Sequence, residues 1–337
     1  MFQHARYHIP DRNHGYCLDD NARAILVLIQ HRKRVGKNPK ADKFMRIYLS
    51  FLDYAFNQER KKFRNFMSYD RNWLEEEGSE DSQGRALWAI ATMAADQNFR
   101  EYHPFLDKLL KDSIKIPINS PNALAFSLLG LTEFDSDKIF SGISIKEQVE
   151  IRTKRLIEFF KTDNPDWPWS HPFVTYDGCR IPQAIMKAGN FLNDNSVQEK
   201  GKELLDWLID HQFEDGIFVP IGNHKWMSLE GKSKFDQQPL EASAMIDACV
   251  TAAKILRDSA YLAYAQKAFN WFLGENLIGK PLYDPKTGGC CDGLHSQGVN
   301  GNQGAESTLA WLSSALRMML HKKIENPEIK RFIHENS

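Results

Sequence analysis

The chain has almost no net charge: 43 basic residues face 44 acidic ones, a formal charge of -1. It therefore lacks the basic surface that draws a protein onto nucleic acid. It also lacks long apolar runs, since no stretch approaches the roughly 18 to 20 residues of a spanning helix. Residues 1–6, Met-Phe-Gln-His-Ala-Arg, carry no apolar signal core, so neither a membrane nor a nucleic acid is expected as a partner. Five cysteines, Cys17, Cys179, Cys249, Cys290 and Cys291, form no even disulfide framework and no Cys-x-x-Cys pair. Free thiols in a reducing, cytoplasmic setting are the expectation, with adjacent Cys290 and Cys291 structural in their glycine-rich turn. Phosphate-cradling, nucleophile-elbow and dinucleotide fingerprints are absent. His14, His171, His224 and His295 lie in four separate loops without an i, i+4 pair. Neither a metal nor a cofactor is expected.

What the chain does have is internal repetition. With 337 residues and 42% hydrophobic content it can bury a large core. Segments rich in small and apolar residues begin near Asp20, Asp81, Pro121, Arg180, Pro239 and Gln303, at intervals of 40 to 64 residues. Residues 86–95 and 121–132 carry no charge, and 303–316 carry only Glu306. Helices of that composition are covered on nearly every side. Between them lie charged, amphipathic segments at 42–57, 101–111, 145–160, 197–211 and 261–275, with a short last member at 327–333. Strand-like alternation is nearly absent. Six buried helices alternating with six half-exposed ones predict an all-α fold, an (α/α)6 toroid spanning 1–337 as a single domain.

In such a ring the loops entering the inner helices open on one face, where function is expected. The first loop carries Tyr16, Asp19, Asp20 and Arg23; the second carries Trp73, Asp81, Gln83 and Arg85. Asp19 and Ser79 read equally well as helix N-caps. The third loop, around Asn119, offers nothing catalytic. The fourth holds Trp167, Trp169, His171, Tyr176 and Arg180, the two tryptophans suited either to sugar stacking or to core packing. At 235–247, Asp236, Gln237 and Gln238 precede Pro239, which suits a first helical turn and leaves Glu241 at a helix entrance. The glycine-rich sixth loop brings His295, Asn302 and Gln303, and Glu306 repeats the placement of Glu241.

Converging acids, amides, aromatics and arginines are the groups glycoside chemistry needs. One carboxyl must stay protonated to donate to the leaving oxygen while another activates water or attacks the sugar. Asp20, Asp81, Glu241 and Glu306 are the candidate catalytic acids. Arg23, Arg85, Gln237, Gln238 and Gln303 would orient hydroxyls; Trp73, Trp167 and Trp169 would form platforms. Tyr16, Asp19, His171, Tyr176, Arg180, Asp236, His295 and Asn302 complete the expected binding set.

Four motifs sharpen this picture: Gly15-Tyr-Cys-Leu-Asp-Asp-Asn-Ala-Arg23, Glu80-Asp-Ser-Gln-Gly-Arg85, Asp236-Gln-Gln-Pro-Leu-Glu-Ala242 and Asn302-Gln-Gly-Ala-Glu-Ser-Thr-Leu309. Over nearly its whole length the chain resembles a bacterial family of (α/α)6 six-hairpin glycosidase-like domains, often found downstream of a glycosyltransferase domain in one polypeptide. The resemblance implies the toroid, a carbohydrate ligand and a glycosyltransferase domain or subunit as partner. One departure stands out. Where the family is expected to carry Trp-x-Trp-Phe-Glu, this chain has Trp167-Pro-Trp169-Ser170-His171, a histidine in place of an acid.

The sequence thus points to a glycoside hydrolase acting on short oligosaccharides. A sugar epimerase using His171 and His295 is the second enzyme reading. The turn at 212–218 prompts a terpenoid cyclase, against which the polar loops argue. A non-catalytic carbohydrate-binding module serving a glycosyltransferase is the remaining alternative.

Overall fold

A computed structural model describes residues 1–164, 166–169 and 171–320. Six inner helices, α1 (Leu18–Val35), α3 (Glu80–Ala95), α5 (Pro121–Leu131), α7 (Arg180–Leu192), α9 (Pro239–Ile255) and α11 (Ala305–Leu320), each pack on the next, and α11 packs back on α1. The ring is closed. Five outer helices, α2 (Pro39–Ala55), α4 (His103–Ile114), α6 (Ile145–Glu158), α8 (Asn195–Gln212) and α10 (Tyr261–Phe272), each follow an inner helix and fold back on it. The expected outer segment at 327–333 lies outside the described residues. The all-α (α/α)6 toroid is the observed architecture.

Composition explains the two layers. α3 and α5 approach closely because glycine and alanine face each other: a Cβ on Gly130 would meet the backbone of Trp88 at 2.8 Å. In the outer layer α2 buries Met45, Leu49, Leu52 and Ala55, spaced for one helical face, and leaves its other face to water. The six inner starts match the sequence reading within two residues, and the caps explain the differences. Ser79 caps α3 by accepting from the amide of Ser82. Asp19 does not cap α1; that position belongs to Cys17, whose sulfur accepts from the Asp20 amide, leaving Asp19 and Asp20 in the first turn. There they favour the positive end of the helix dipole.

Among the described residues, strands occur only as two-stranded pairs, each strand two or three residues long. Two of these pairings shape the loop face. Tyr16–Cys17 pairs antiparallel with Phe66–Met67, bringing the second hairpin's loop over the start of α1. Gly293–His295 pairs with Gly298–Asn300, and Gln237 and Leu294 exchange backbone hydrogen bonds at 3.0 and 2.9 Å. Gly293 permits that approach, since a Cβ there would sit 2.8 Å from the Gln237 carbonyl oxygen. No helix among the described residues is long and apolar enough to cross a membrane.

Candidate active site

The starts of α1 and α11 and the entrance to α9 border a loop-end cavity, and a second, axial cavity runs between the inner helices. Arg23 and Glu306 line both. Their ion pair, Arg23 Nη2 to Glu306 Oε2 at 2.6 Å, marks the boundary, while Arg23 Nη1 holds Asp20 Oδ1 at 3.2 Å. One guanidinium therefore fixes two carboxylates, one from α1 and one from α11.

Asp20 is only 2% exposed. Burial pushes its carboxyl up to about 6, against the opposing pull of Arg23 and with a smaller push from Glu306. The buried Cys17 thiol donates to its other oxygen at 3.0 Å. Around it the loop-end cavity gathers Asp19, Asp236, Gln237, Gln238, His295 and the unpredicted Asp292. Asp236 adopts a left-handed backbone (φ 60°) and lies 2.5 Å from His295 Nδ1. The Gln237 side chain turns away in part: its Oε1 accepts from the Trp271 indole at 2.7 Å and its Nε2 donates to Lys234 O. That bond network anchors the cavity wall to α10. Burial also raises the carboxyl of Asp292, whose Oδ1 takes the Gly304 amide just before α11.

The axial cavity is a ladder of ion pairs. Arg85 meets Asp177 at 2.8 Å, Arg180 bridges Asp177 at 3.3 Å and Asp247 at 2.6 Å, and Arg317 meets Asp247 at 2.6 Å. Asp247 is held below the usual carboxylate range because Arg317 and Arg180 outweigh the cost of its burial. Trp88 is the aromatic group on this wall, with the Arg180 guanidinium 5.2 Å from its ring centre.

Other expected site residues sit elsewhere. Glu241 lines neither cavity: it is 4% exposed behind Asp177, accepts the Asp177 amide at 2.8 Å, and is raised well above the usual carboxylate range by burial and the Asp177 charge. Asp177, left-handed at φ 58°, is thus fixed at its amide by Glu241 and at its carboxylate by two arginines. Asp81 accepts from the Tyr176 hydroxyl and from Ser120 Oγ at 3.0 Å, off both cavities, its carboxyl raised by burial. Gln83 clamps the backbone of Phe63 on both sides, at 2.7 and 2.8 Å.

The tryptophan pair of the fourth loop is interior. Trp167 and Trp169 both pack on Trp207 of α8, and Trp169 also on Phe160, so no ring face is left for a sugar. His171 is exposed, stacks on Phe159 of the outer layer and accepts the Trp167 indole at its carbonyl. The histidine that replaces the expected acid is therefore not in either cavity. Tyr16 stacks on Phe2, and Trp73 packs against Phe51 and Tyr54 beneath Arg64. Asn302 accepts the Tyr7 amide, and Gln303 binds Thr287 and Asp284; both brace the loop before α11.

Cys17, Trp88, Asp177, Asp247, Asp292 and Arg317 were absent from the sequence-derived set. Asp247 had a visible signal, a single carboxylate two turns inside an otherwise nearly uncharged helix. Trp88 and Arg317 had none beyond helical spacing. Among the described residues no group of three or more His, Cys, Asp or Glu is arranged to hold a metal.

No protein-family model matches the chain, and no curated protein matches it. Solved structures do. A sugar epimerase from a ruminal bacterium superposes with a TM-score of 0.74 at 10% identity, covering 97% of this chain and 92% of that one. A D-mannose isomerase gives a TM-score of 0.66 at 13% identity over 96% and 91% of the two chains. A GH76 α-mannanase from Bacteroides thetaiotaomicron gives 0.65 at 10% identity over 94% and 89%. The toroid is common to all of them.

Proposed function

We propose that this protein is a carbohydrate-active enzyme that cleaves glycosides of short oligosaccharides in the loop-end cavity. The observation that carries the reading is Asp20: a buried carboxyl raised to about 6 at the base of a polar cavity, sharing Arg23 with Glu306. A carboxyl so placed keeps its proton in mildly acidic solution, where an ordinary aspartate has lost it, and can give it to a departing glycosidic oxygen. Glu306, more open to solvent and ion-paired to Arg23, would direct water or meet the positive charge that develops on the sugar. Asp19, Asp236 and Gln238 supply acceptors and donors for sugar hydroxyls. The likeness in fold to a mannanase supports the class of chemistry.

The Asp236–His295 pair favours a second reading on the same cavity. A histidine held by a carboxylate is a proton-transfer group, and two of the similar structures are an epimerase and an isomerase. Product analysis on a panel of di- and trisaccharides separates the readings. Hydrolysis yields a new reducing end, whereas epimerisation or isomerisation yields none and incorporates deuterium from D2O at the sugar carbon. Binding by calorimetry without any turnover would replace both with a carbohydrate-binding module. A glycosyltransferase partner and a cytoplasmic setting belong to the same proposal, the latter suited to five free cysteines.

A further inference from the structure

Cys17 sits where the strand Tyr16–Cys17 turns into α1, and its sulfur is engaged twice. It accepts the Asp20 amide at 3.4 Å and donates to Asp20 Oδ2 at 3.0 Å. A sulfur in an N-cap position is a weak choice for helix stability alone, because hydroxyl and carboxylate caps accept more strongly. It is a distinctive choice for a group meant to remain a donor. The thiol is 4% exposed, and burial together with the charges of Asp20 and Asp19 raises it well above its ordinary range. It stays protonated throughout the range in which Asp20 titrates.

We propose that Cys17 is a positioning residue for Asp20, a fixed thiol donor that orients the carboxyl toward the cavity and sets how readily it holds its proton. The charges facing Asp20 are Arg23 and Asp19 on α1, Glu306 on α11 and the Met1 amino group. None of these contacts Oδ2 by hydrogen bond, so the thiol is the partner of that oxygen. A donor to the carboxylate favours the ionised form. Removing it moves the Asp20 midpoint up, and replacing it with a stronger hydroxyl donor moves the midpoint down.

This inference uses the reading of Asp20 as proton donor, but its test needs no substrate. The Asp20 midpoint is followed in the free protein by carboxylate carbon NMR, assigned with Asp20→Asn. The expected order is Cys17→Ala above wild type by about half a pH unit or more, and Cys17→Ser at or below wild type. If Cys17→Ala and wild type titrate together, or Cys17→Ser rises as far as Cys17→Ala, the proposal is overturned. Should Cys17→Ala not fold, the Cys17→Ser shift decides alone: a downward shift supports the role and an upward one removes it. If no glycoside is turned over, the titration order still stands or falls by itself. Where turnover is found, the alkaline limb of the pH profile must move with the NMR midpoint.

Discussion

The amide of Asp177 donates to Glu241 Oε1 at 2.8 Å, joining the turn before α7 to the first turn of α9. Two stretches 64 residues apart are locked at one bond, and the lock keeps Asp177 in its left-handed conformation between Arg85 and Arg180. Glu241 therefore supports the site from behind. Glu241→Gln keeps an acceptor and matches a carboxyl already pushed toward its neutral form, so it should fold normally and retain most activity. Glu241→Ala leaves the Asp177 amide unpaired beside a void, and should lower stability by about 2 to 4 kcal/mol in urea titration. Equal losses in the two variants would show that the charge, not the acceptor, is what matters.

Asp20 gives a signed dependence of stability on pH. Its carboxyl titrates near 6 in the fold and near 3.9 in the unfolded chain. The folded state therefore binds the extra proton between those values, and its advantage is fully present below about 4 and lost as pH rises through 6. At pH 7 ionised Asp20 costs up to about 3 kcal/mol. Asp20→Asn should thus raise the melting temperature at pH 7 and change it little at pH 4. A variant less stable than wild type at pH 7 would contradict this.

Activity should move the opposite way in the same variant. Asn cannot donate a proton, so Asp20→Asn should lower kcat/KM by about 10² to 10⁴-fold. Wild-type kcat/KM should fall about tenfold per pH unit above 6. Glu306→Gln should also reduce kcat while leaving the fold intact. Full activity in Asp20→Asn would place the proton donor elsewhere, with the Asp236–His295 pair next in line.

Arg180 is the rung on which the axial ladder depends, bonded to Asp177 and Asp247 and 7% exposed. Arg180→Met strands two buried carboxylates on one cation each. Its expected cost is about 3 to 5 kcal/mol by thermal or denaturant unfolding. Arg180→Lys should recover only part, because an ammonium cannot span both carboxylates as the guanidinium fork does.

The two kinds of tryptophan should behave differently. Trp169→Ala opens a void between α6 and α8 and should cost about 3 to 5 kcal/mol, with sugar affinity unchanged in the fraction that stays folded. Trp88→Phe, on the axial wall, should leave stability close to wild type and weaken any ligand that reaches past Arg23. Calorimetry on both variants, beside their melting curves, checks the contrast.

The ring was legible in the sequence because burial on all sides leaves a compositional mark. Uncharged stretches such as 86–95 can only be inner helices, and the charged segments between them can only be outer ones. The loop face was legible for the same reason. What could not be read was direction within a loop. Trp167 and Trp169 have the composition of a sugar platform, yet their indoles turn outward onto Trp207, a partner contributed by an outer helix 38 to 40 residues later. Glu241 and Glu306 share a place in the first turn of their helices, but Glu306 meets the Arg23 guanidinium of neighbouring α1, at the cavity, and Glu241 meets a backbone amide just before α7 and lines neither cavity. Side-chain orientation around an inner helix is decided by the neighbour on each flank, and those neighbours are remote in sequence. Arg317 shows the converse: a charge deep in an inner helix with no signal of its own in the sequence, which acquires meaning only as the partner of Asp247.

Because α11 packs on α1, the ring has a seam between parts of the chain almost three hundred residues apart, stitched by Gln30 and Ser313 at 3.1 Å. Each helical hairpin forms from neighbours, whereas this seam must wait for all the intervening chain to be placed. The pair Arg23–Glu306 lies across that same seam. Arg23, which holds Asp20, acquires its partner on α11 only when that closure is made, so a partly assembled ring, however helical, lacks the proposed site. Refolding followed by far-ultraviolet circular dichroism should therefore run ahead of recovered ligand binding, and activity would report completion of the circle.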